Sequence, residues 1–296
     1  MKREGARLAL QRAGELTQNG ELPAAIAELE RAVALEPDSR AARLALGTAW
    51  LEAGEADKAI VTLSPLIRPR SAYRAVAKRK LEQAEQLREL QRSPPAYVRH
   101  LFDQFSHQYD RQMVEDLAYC APVILRRLAG LLGCAPCTVD ILDLGCGTGL
   151  AGEYFRPLAR RLDGIDLSPR MIAEAKRKRI YDRLAVGDIE VFLGARGRNY
   201  DLLIAADTLV YFGDLSAVFR GAKRRLRPGG WFLFTVERHI AGGFALGPKR
   251  RYRHSADYIR ESAGESGLDC MGLIDCVPRK DAGEPVDGFA IALRHI

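Results

Sequence analysis

The sequence predicts an α/β domain built on a mostly parallel sheet, preceded by an all-α helical-repeat domain. Three observations point there. From Val139 onward, short apolar runs alternate with amphipathic segments, the pattern of strand–helix units in a parallel sheet. Glycines and carboxylates recur where those apolar runs end. The first ninety-five residues repeat themselves at an offset of thirty-four.

The repeat comes first in the chain. With residues 6–39 written above residues 40–73, Gly20 falls on Gly54, Glu21 on Glu55, Ala25-Ile26 on Ala59-Ile60, and Leu29 on Leu63. Paired antiparallel helices are expected over Ala6–Asn19 and Leu22–Leu35, then Ser39–Ala53 and Ala56–Ile67, stopped by Pro37 and Pro69. A third amphipathic stretch, Ser71–Gln91, is expected to cap them. The period, with Gly20, Ala25, Ala32 and Pro37, resembles the tetratricopeptide repeat. The second copy departs from it, with Leu66 in place of Ala32 and Ser71 in place of Pro37. Two repeats are fewer than the three a self-sufficient solenoid uses, so peptide binding, packing on the rest of the chain and dimerisation all stay open. Ser93-Pro94-Pro95 breaks the helix, giving domains 1–95 and 96–296.

Residues 96–132 form the entry to the second domain. Phe102, Phe105 and Tyr109 recur at helical spacing and predict one aromatic face. Met113–Leu132 predicts a helix interrupted near Pro122. The sheet occupies 138–296. Its expected strands are Val139–Leu144, Arg161–Asp166, Arg183–Val186, Tyr200–Ala205 and Trp231–Val236, with helices Ala151–Leu158, Met171–Lys178, Asp214–Leu226 and Ser255–Ser266. The last two strands, Gly267–Cys276 and Pro285–Arg294, have no helix between them and are expected to pair antiparallel.

The chemistry gathers at the carboxyl ends of these strands, which share one edge of a parallel sheet. Asp143-Leu144-Gly145-Cys146-Gly147-Thr148-Gly149 follows the first strand, and its glycines let a ligand lie against the backbone. A dinucleotide fingerprint would need its third glycine one place later, where Leu150 stands. Asp166 ends the second strand, placed to accept two ribose hydroxyls, and Asp188 with Ile189 follows the third, suited to an adenine amino group and ring. Asp207 and Glu237 follow the fourth and fifth.

The succession D-L-G-C-G-T-G, then Gly164-Ile165-Asp166-Leu167-Ser168 with Met171, then Gly187-Asp188-Ile189, resembles the class I S-adenosylmethionine-dependent methyltransferases from about Tyr97 to the C-terminus. The resemblance implies a Rossmann-like seven-stranded sheet with an antiparallel terminal strand. It implies S-adenosylmethionine as cofactor, with Gly145, Cys146, Gly147 and Gly149 around its methionyl part, Asp166 and Leu167 at the ribose, Asp188 and Ile189 at the adenine, and Met171 against the adenosine. Asp143 would order the loop or meet the amino group through water, and Asp207 would stand near the sulfonium or make a turn. Phe102-Asp103-x-Phe105-x-x-x-Tyr109-Asp110 resembles the lid over the cofactor in small methyltransferases, which puts Tyr109 in the site. With the repeats, the chain resembles bacterial repeat-containing predicted methyltransferases.

An oxygen acceptor can require a general base. His239 and His254 are the leading candidates with Tyr109, and His107, Tyr211 and Tyr252 also qualify by position. Tyr211-Phe212-Gly213-Asp214 would flank the substrate opening or cap a helix through Asp214. The expected reaction is methyl transfer to O or N of a small molecule. Protein or carrier-bound acceptors recruited by the repeats, a cofactor-binding scaffold without turnover, and a nicotinamide-dependent oxidoreductase are the alternatives.

Composition narrows the partners. Net charge is +7, with 16 Lys and Arg against 13 Asp and Glu in residues 1–95, so no basic stripe of the kind that binds nucleic acid is expected. Met1-Lys2-Arg3-Glu4 leads directly into a charged amphipathic pattern, and a cytoplasmic chain without membrane contact is expected, monomeric or homodimeric. Cys134-Ala-Pro-Cys137 lacks the matching second pair of a zinc site, so no metal is expected.

Overall fold

A computed structural model describes residues 2–19, 21–53, 55–68, 72–89, 91–106, 108–134 and 138–296. Gly20, Gly54, Pro69, Ser71, His107 and Cys137, named above, lie outside the described residues. The chain divides into two compact units, Met1–Leu90 and Gln91–Ile296.

The first unit is all helical: α1 Lys2–Gln18, α2 Leu22–Leu35, α3 Arg40–Glu52, α4 Ala56–Leu63 and α5 Arg74–Glu89. Alanines close the helix crossings, with Ala9, Ala32 and Ala42 packed together and Ala25 and Ala59 fully buried at matching places in the two copies. Leu22, Ile26, Leu29 and Leu46 fill the space beside them. Leu66 is buried like Ala32, its counterpart, so the repeat keeps its inward position while changing volume. α4 stops at Leu63 and tightens into a 3-10 turn over Ser64–Leu66, short of the expected Ile67; Pro65 removes a backbone donor there.

The second unit holds α6 Pro95–Phe105, a one-turn α7 Tyr109–Arg111 and α8 Ala121–Leu131 ahead of the sheet. The expected Met113–Leu132 helix is broken: Gln112–Asp116 forms a π turn, and Pro122 sits in the first turn of α8, where its missing N–H costs nothing. Residues 91–95 belong here rather than with the repeats. Ser93 N donates to Tyr211 O at 2.8 Å, and Gln91 O accepts from Gly213 N at 2.7 Å. The domain boundary therefore falls after Leu90, not after Pro95.

The sheet strands are β1 Val139–Leu144, β2 Ala159–Asp166, β3 Arg183–Val186, β4 Tyr200–Ala205, β5 Leu226–Arg238, β6 Phe244–Leu246, β7 Tyr252–His254, β8 Asp269–Asp281 and β9 Glu284–Arg294. The first five run parallel in the order β3-β2-β1-β4-β5, and β9 then pairs antiparallel with β5 and carries β8 at the edge. All six residues of β1 are buried, which is why it reads as an apolar run rather than an alternation. Its side chains still alternate: Leu142 and Leu144 face one core with Val218 and Phe219, Ile141 faces the other with Leu125 and Phe155.

Seven strands match expectation, and a short β6–β7 hairpin adds two more. β7 pairs parallel with the carboxyl end of β5 through Glu237↔Arg253. The helices between strands are α9 Leu150–Phe155, α10 Pro169–Lys178, α11 Ile189–Gly194, α12 Ser216–Arg225 and α13 Ala256–Glu265. Of these, only α11 has no counterpart in the sequence reading. Among the described residues, no helix is long and apolar enough to cross a membrane.

Candidate active site

The loop after β1 is braced by the end of β2. Gly145 and Gly147 adopt φ of 69° and 54°, and Gly145 N and Cys146 N both donate to Ile165 O. Asp166 spans two chains of the wall: Gly147 N donates to Oδ2 at 2.9 Å and Ser168 N to Oδ1 at 2.8 Å. Burial pushes its carboxyl up to about 6 despite these donors. A carboxylate keeps lone pairs free after two such bonds, so it can still receive hydroxyls from the cavity.

That cavity lies between the glycine loop, α6 and the ends of β2, β3 and β4. Of the residues expected around the cofactor, Tyr109, Gly145, Gly147, Asp166, Leu167, Asp188, Ile189 and Asp207 line it. Asp143, Cys146, Gly149 and Met171 do not. Asp143 is buried behind the loop, accepts the Tyr181 hydroxyl at 2.7 Å and is pushed by burial up to about 7. The Cys146 thiol is buried and held protonated by burial. Gly149 ends the loop at φ 97°, where its missing Cβ leaves room for the Tyr181 ring. Met171 is fully buried in α10, whose first turn is capped by Ser168 Oγ. These four shape the loop from behind.

Asp188, expected at the adenine, is already engaged by the protein itself. Asp188 caps α11 by accepting from Glu190 N at 3.0 Å, and its other oxygen receives Arg92 Nη2 at 2.5 Å. Burial opposes its charge, yet Arg92 holds the Asp188 carboxyl below the usual carboxylate range. Arg92 also reaches Glu190 and lies 4.6 Å over the Phe212 ring. Sequence reasoning missed it because the pairing spans 96 residues and the segment reads as a linker. Arg92→Ala frees the Asp188 carboxylate and uncovers Phe212. We expect S-adenosylhomocysteine affinity to fall about tenfold, the worth of one charge-assisted contact, while Arg92→Lys loses less. Calorimetric titration checks this; equal affinity in all three proteins would remove Arg92 from the site.

The lid closes the opposite side. Val98 and Phe102 on α6 line the cavity, and the Phe102 ring meets Tyr109 edge-on at 6.0 Å and Tyr211 at 5.6 Å. Phe105 does not join them; it is 37% exposed, because α6 ends there and Tyr109 starts a separate turn. Polar latches hold the lid to the loops. Ser168 Oγ donates to Asp103 at 2.5 Å, Arg99 Nε donates to Leu167 O, and Asp110 receives Thr148 Oγ1 and Lys178 Nζ. Burial pushes the Tyr109 phenol far above its ordinary value, so it stays a neutral donor.

Neither leading histidine enters this cavity. His254 is fully buried in β7, with Nε2 2.9 Å from Gly213 O and its ring stacked on Tyr258 at 5.8 Å; burial pushes it down to about 4. It is a neutral core residue, which corrects the expectation of a base. His239 lines a separate cleft, not the cofactor cavity. Tyr211 and Phe212 line the cavity as the opening was expected to, while Asp214 accepts from Ser216 N at 2.9 Å and starts α12.

Asp207 lines the cavity with Tyr109 and Tyr211. It takes φ 54°, and Arg279 Nε and Arg251 Nη1 donate to Oδ2 at 2.9 and 3.3 Å. Its Oδ1 is buried without a partner among the described residues. Both arginines escaped the sequence reading, which weighed only the histidines and tyrosines near them. Among the described residues no cluster of three or more metal-ligating side chains occurs.

The second unit carries a Rossmann-like sheet of the methyltransferase type with antiparallel terminal strands, and a helical-repeat unit precedes it in the chain. Residues 142–234 match the family model of the methyltransferase domain, and residues 16–81 match that of the tetratricopeptide repeat. S-adenosylmethionine is the cofactor of this class, and the glycine cradle and Asp166 fit it. The chain is 32% identical over 96 residues to the malonyl-[acyl-carrier protein] O-methyltransferase of Yersinia pestis, covering 32% of this chain and 36% of that protein. It is 27% identical over 154 residues to the ubiquinone biosynthesis O-methyltransferase of Nitrosospira multiformis, covering 46% and 64%. The chain thus spans between about a third and two thirds of the length of these curated relatives. A solved S-adenosylmethionine-dependent methyltransferase of Clostridium acetobutylicum is similar at 20% identity and a TM-score of 0.49, over 66% of this chain and 98% of that one.

Proposed function

We propose that this protein is a cytoplasmic enzyme that transfers the methyl group of S-adenosylmethionine to an oxygen atom of a small acceptor. The observation that carries the reading is the cavity that the glycine loop, Asp166 and Asp207 line together. Bound there, the cofactor would supply an activated methyl on a sulfonium that leaves as a neutral thioether. Gly145 and Gly147 admit its backbone-hugging end, and Asp166 receives hydroxyls. Phe102 and Tyr109 cover the cavity and exclude water, which strengthens every charge interaction inside. In the transfer Asp207 would take the acceptor's hydroxyl proton as its oxygen bonds the methyl carbon and the S–CH3 bond breaks, in the line that displacement requires. Oxygen is preferred over nitrogen because the curated relatives described above are named O-methyltransferases.

Calorimetric titration with S-adenosylmethionine, S-adenosylhomocysteine, NAD and NADP tests the cofactor. Micromolar binding of the adenosyl pair alone supports the reading, and binding of a nicotinamide nucleotide alone overturns it. With an acceptor in hand, His239→Ala should keep kcat within about threefold, whereas loss of a general base costs about 10²–10⁴-fold. A drop of that size would restore His239 as the base.

A second reading, a carrier- or protein-bound acceptor, is favoured by the tetratricopeptide repeats. A chain starting at Gln91 keeps Arg92 in place. It should retain cofactor affinity, and under this second reading it loses the acceptor.

A further inference from the structure

A basic pocket lies toward the amino ends of β3 and β4, and it shares no lining residue with the cofactor cavity. Among the described residues, four arginines line it. Arg183 opens β3, Arg196 and Arg198 stand in the loop between α11 and β4, and Arg225 closes α12. The one carboxylate among the described residues of its wall is Asp163, which is already held. Arg161 Nε donates to both of its oxygens at 2.9 and 3.0 Å, and the Tyr200 hydroxyl donates to Oδ2 at 2.9 Å. Arg183, Arg196 and Arg198 are exposed, and among the described residues no carboxylate pairs with any of them.

Arg225 distinguishes this pocket from a solvated basic surface. It is only 5% exposed, so its charge has been withdrawn from water. A guanidinium cannot relieve that by giving up its proton. Its Nε and Nη1 are buried with no hydrogen-bond partner among the described residues. The group lies over aromatic rings, with Cζ 4.9 Å from the centre of Phe192 and 5.9 Å from that of Tyr200. Those rings attract the charge, yet offer the N–H groups no oxygen. A buried charge left without a counter-charge is strongly destabilising, so this fork calls for an anion.

The loop is shaped to the same guanidinium. A Cβ at Gly197 would stand 2.3 Å from Arg225 Nη1, so a side chain there would push the fork off its rings. Glycine lets the chain pass close, and its two neighbours, Arg196 and Arg198, are thereby brought to the pocket that the buried fork lines.

We infer that this pocket binds a phosphate group, held by Arg225 from within and by Arg183, Arg196 and Arg198 at its mouth. Guanidinium forks match phosphate oxygens two at a time. Arg161 balances Asp163, so four positive charges stay uncompensated, and that excess favours a doubly charged ligand over a carboxylate. The phosphate is either free or the end group of a small phosphomonoester, which presents the same oxygens. The inference stands apart from the methyl-transfer reading, because the two sites have no lining residue in common.

The test titrates the full-length protein calorimetrically with inorganic phosphate, glycerol phosphate and acetate at constant ionic strength. The phosphate compounds are expected to bind about tenfold more tightly than acetate, as a second charge and a bidentate fit imply. Tighter binding of inorganic phosphate assigns the free anion, and tighter binding of glycerol phosphate assigns the phosphomonoester. Arg225→Gln should weaken phosphate by about tenfold or more, the worth of a charge-assisted hydrogen bond. Because Arg225 is buried, a second variant changes exposed side chains only, Arg196→Gln with Arg198→Gln. It too should bind phosphate about tenfold more weakly, and it should lose the rise in Tm that phosphate gives the wild type, with S-adenosylhomocysteine affinity unchanged. A wild-type protein that binds the phosphate compounds no better than acetate overturns the inference, as does a folded double variant that binds phosphate as well as wild type.

Discussion

Asp166→Ala lowers affinity for S-adenosylhomocysteine by roughly ten- to a hundredfold, the loss expected for charge-assisted hydrogen bonds at a buried carboxylate. The carboxylate holds Gly147 N and Ser168 N in place, and in the proposed function it has a second task, presenting lone pairs to the ribose. It must be ionised to do the second. Since burial raises its carboxyl to about 6, wild-type affinity should fall as pH drops through about 6, and Asp166→Asn should flatten that dependence. For the free protein the sign is opposite. A carboxyl whose folded value is raised binds its proton more tightly when folded. Its stabilising contribution is full below the unfolded value near 3.8 and is lost as pH rises through about 6. Titrations across pH 5 to 8 separate these effects, and a folded Ala variant with unchanged affinity would remove Asp166 from the ribose position.

Gly145→Ala should be the most damaging single methyl group in the loop. A Cβ there would lie 2.3 Å from Thr208 Cγ2 and 2.6 Å from its Oγ1, on a backbone at φ 69°. Thr208 has little freedom to retreat, because Oγ1 donates to both Gly145 O and Ala206 O. The expected destabilisation is about 2–4 kcal/mol from overpacking plus left-handed strain, with loss of cofactor binding. Thermal unfolding of a double-mutant cycle isolates the contact. In a Thr208→Gly background the same substitution should cost only the strain, about 1–2 kcal/mol. Equal costs in both backgrounds would show that the clash is not the cause.

Much of this was present in the chain's local pattern. β1 and β4 begin and end where their apolar runs do, because strands buried on both faces leave little choice of residue type. Parallel pairing then carries Gly145, Asp166, Asp188 and Asp207 to one edge, so their convergence follows from strand order rather than from distant contacts. The internal offset of thirty-four likewise announced the helical repeats, since Ala25 and Ala59 take the same buried place in the two copies.

Tertiary structure alone decided which of those residues face the cavity. Asp143 and Met171 belong to the motif yet point behind it, and His254 is sealed under Tyr258. Arg92 reaches the site from a linker, Arg251 from the residue just ahead of β7 and Arg279 from β8, so no local pattern joins them. A long flexible side chain carries no record in sequence of where its charge will end. That is set by the buried carboxylates it must neutralise, Asp188, Asp207 and Glu237, and those positions exist only once the sheet is assembled.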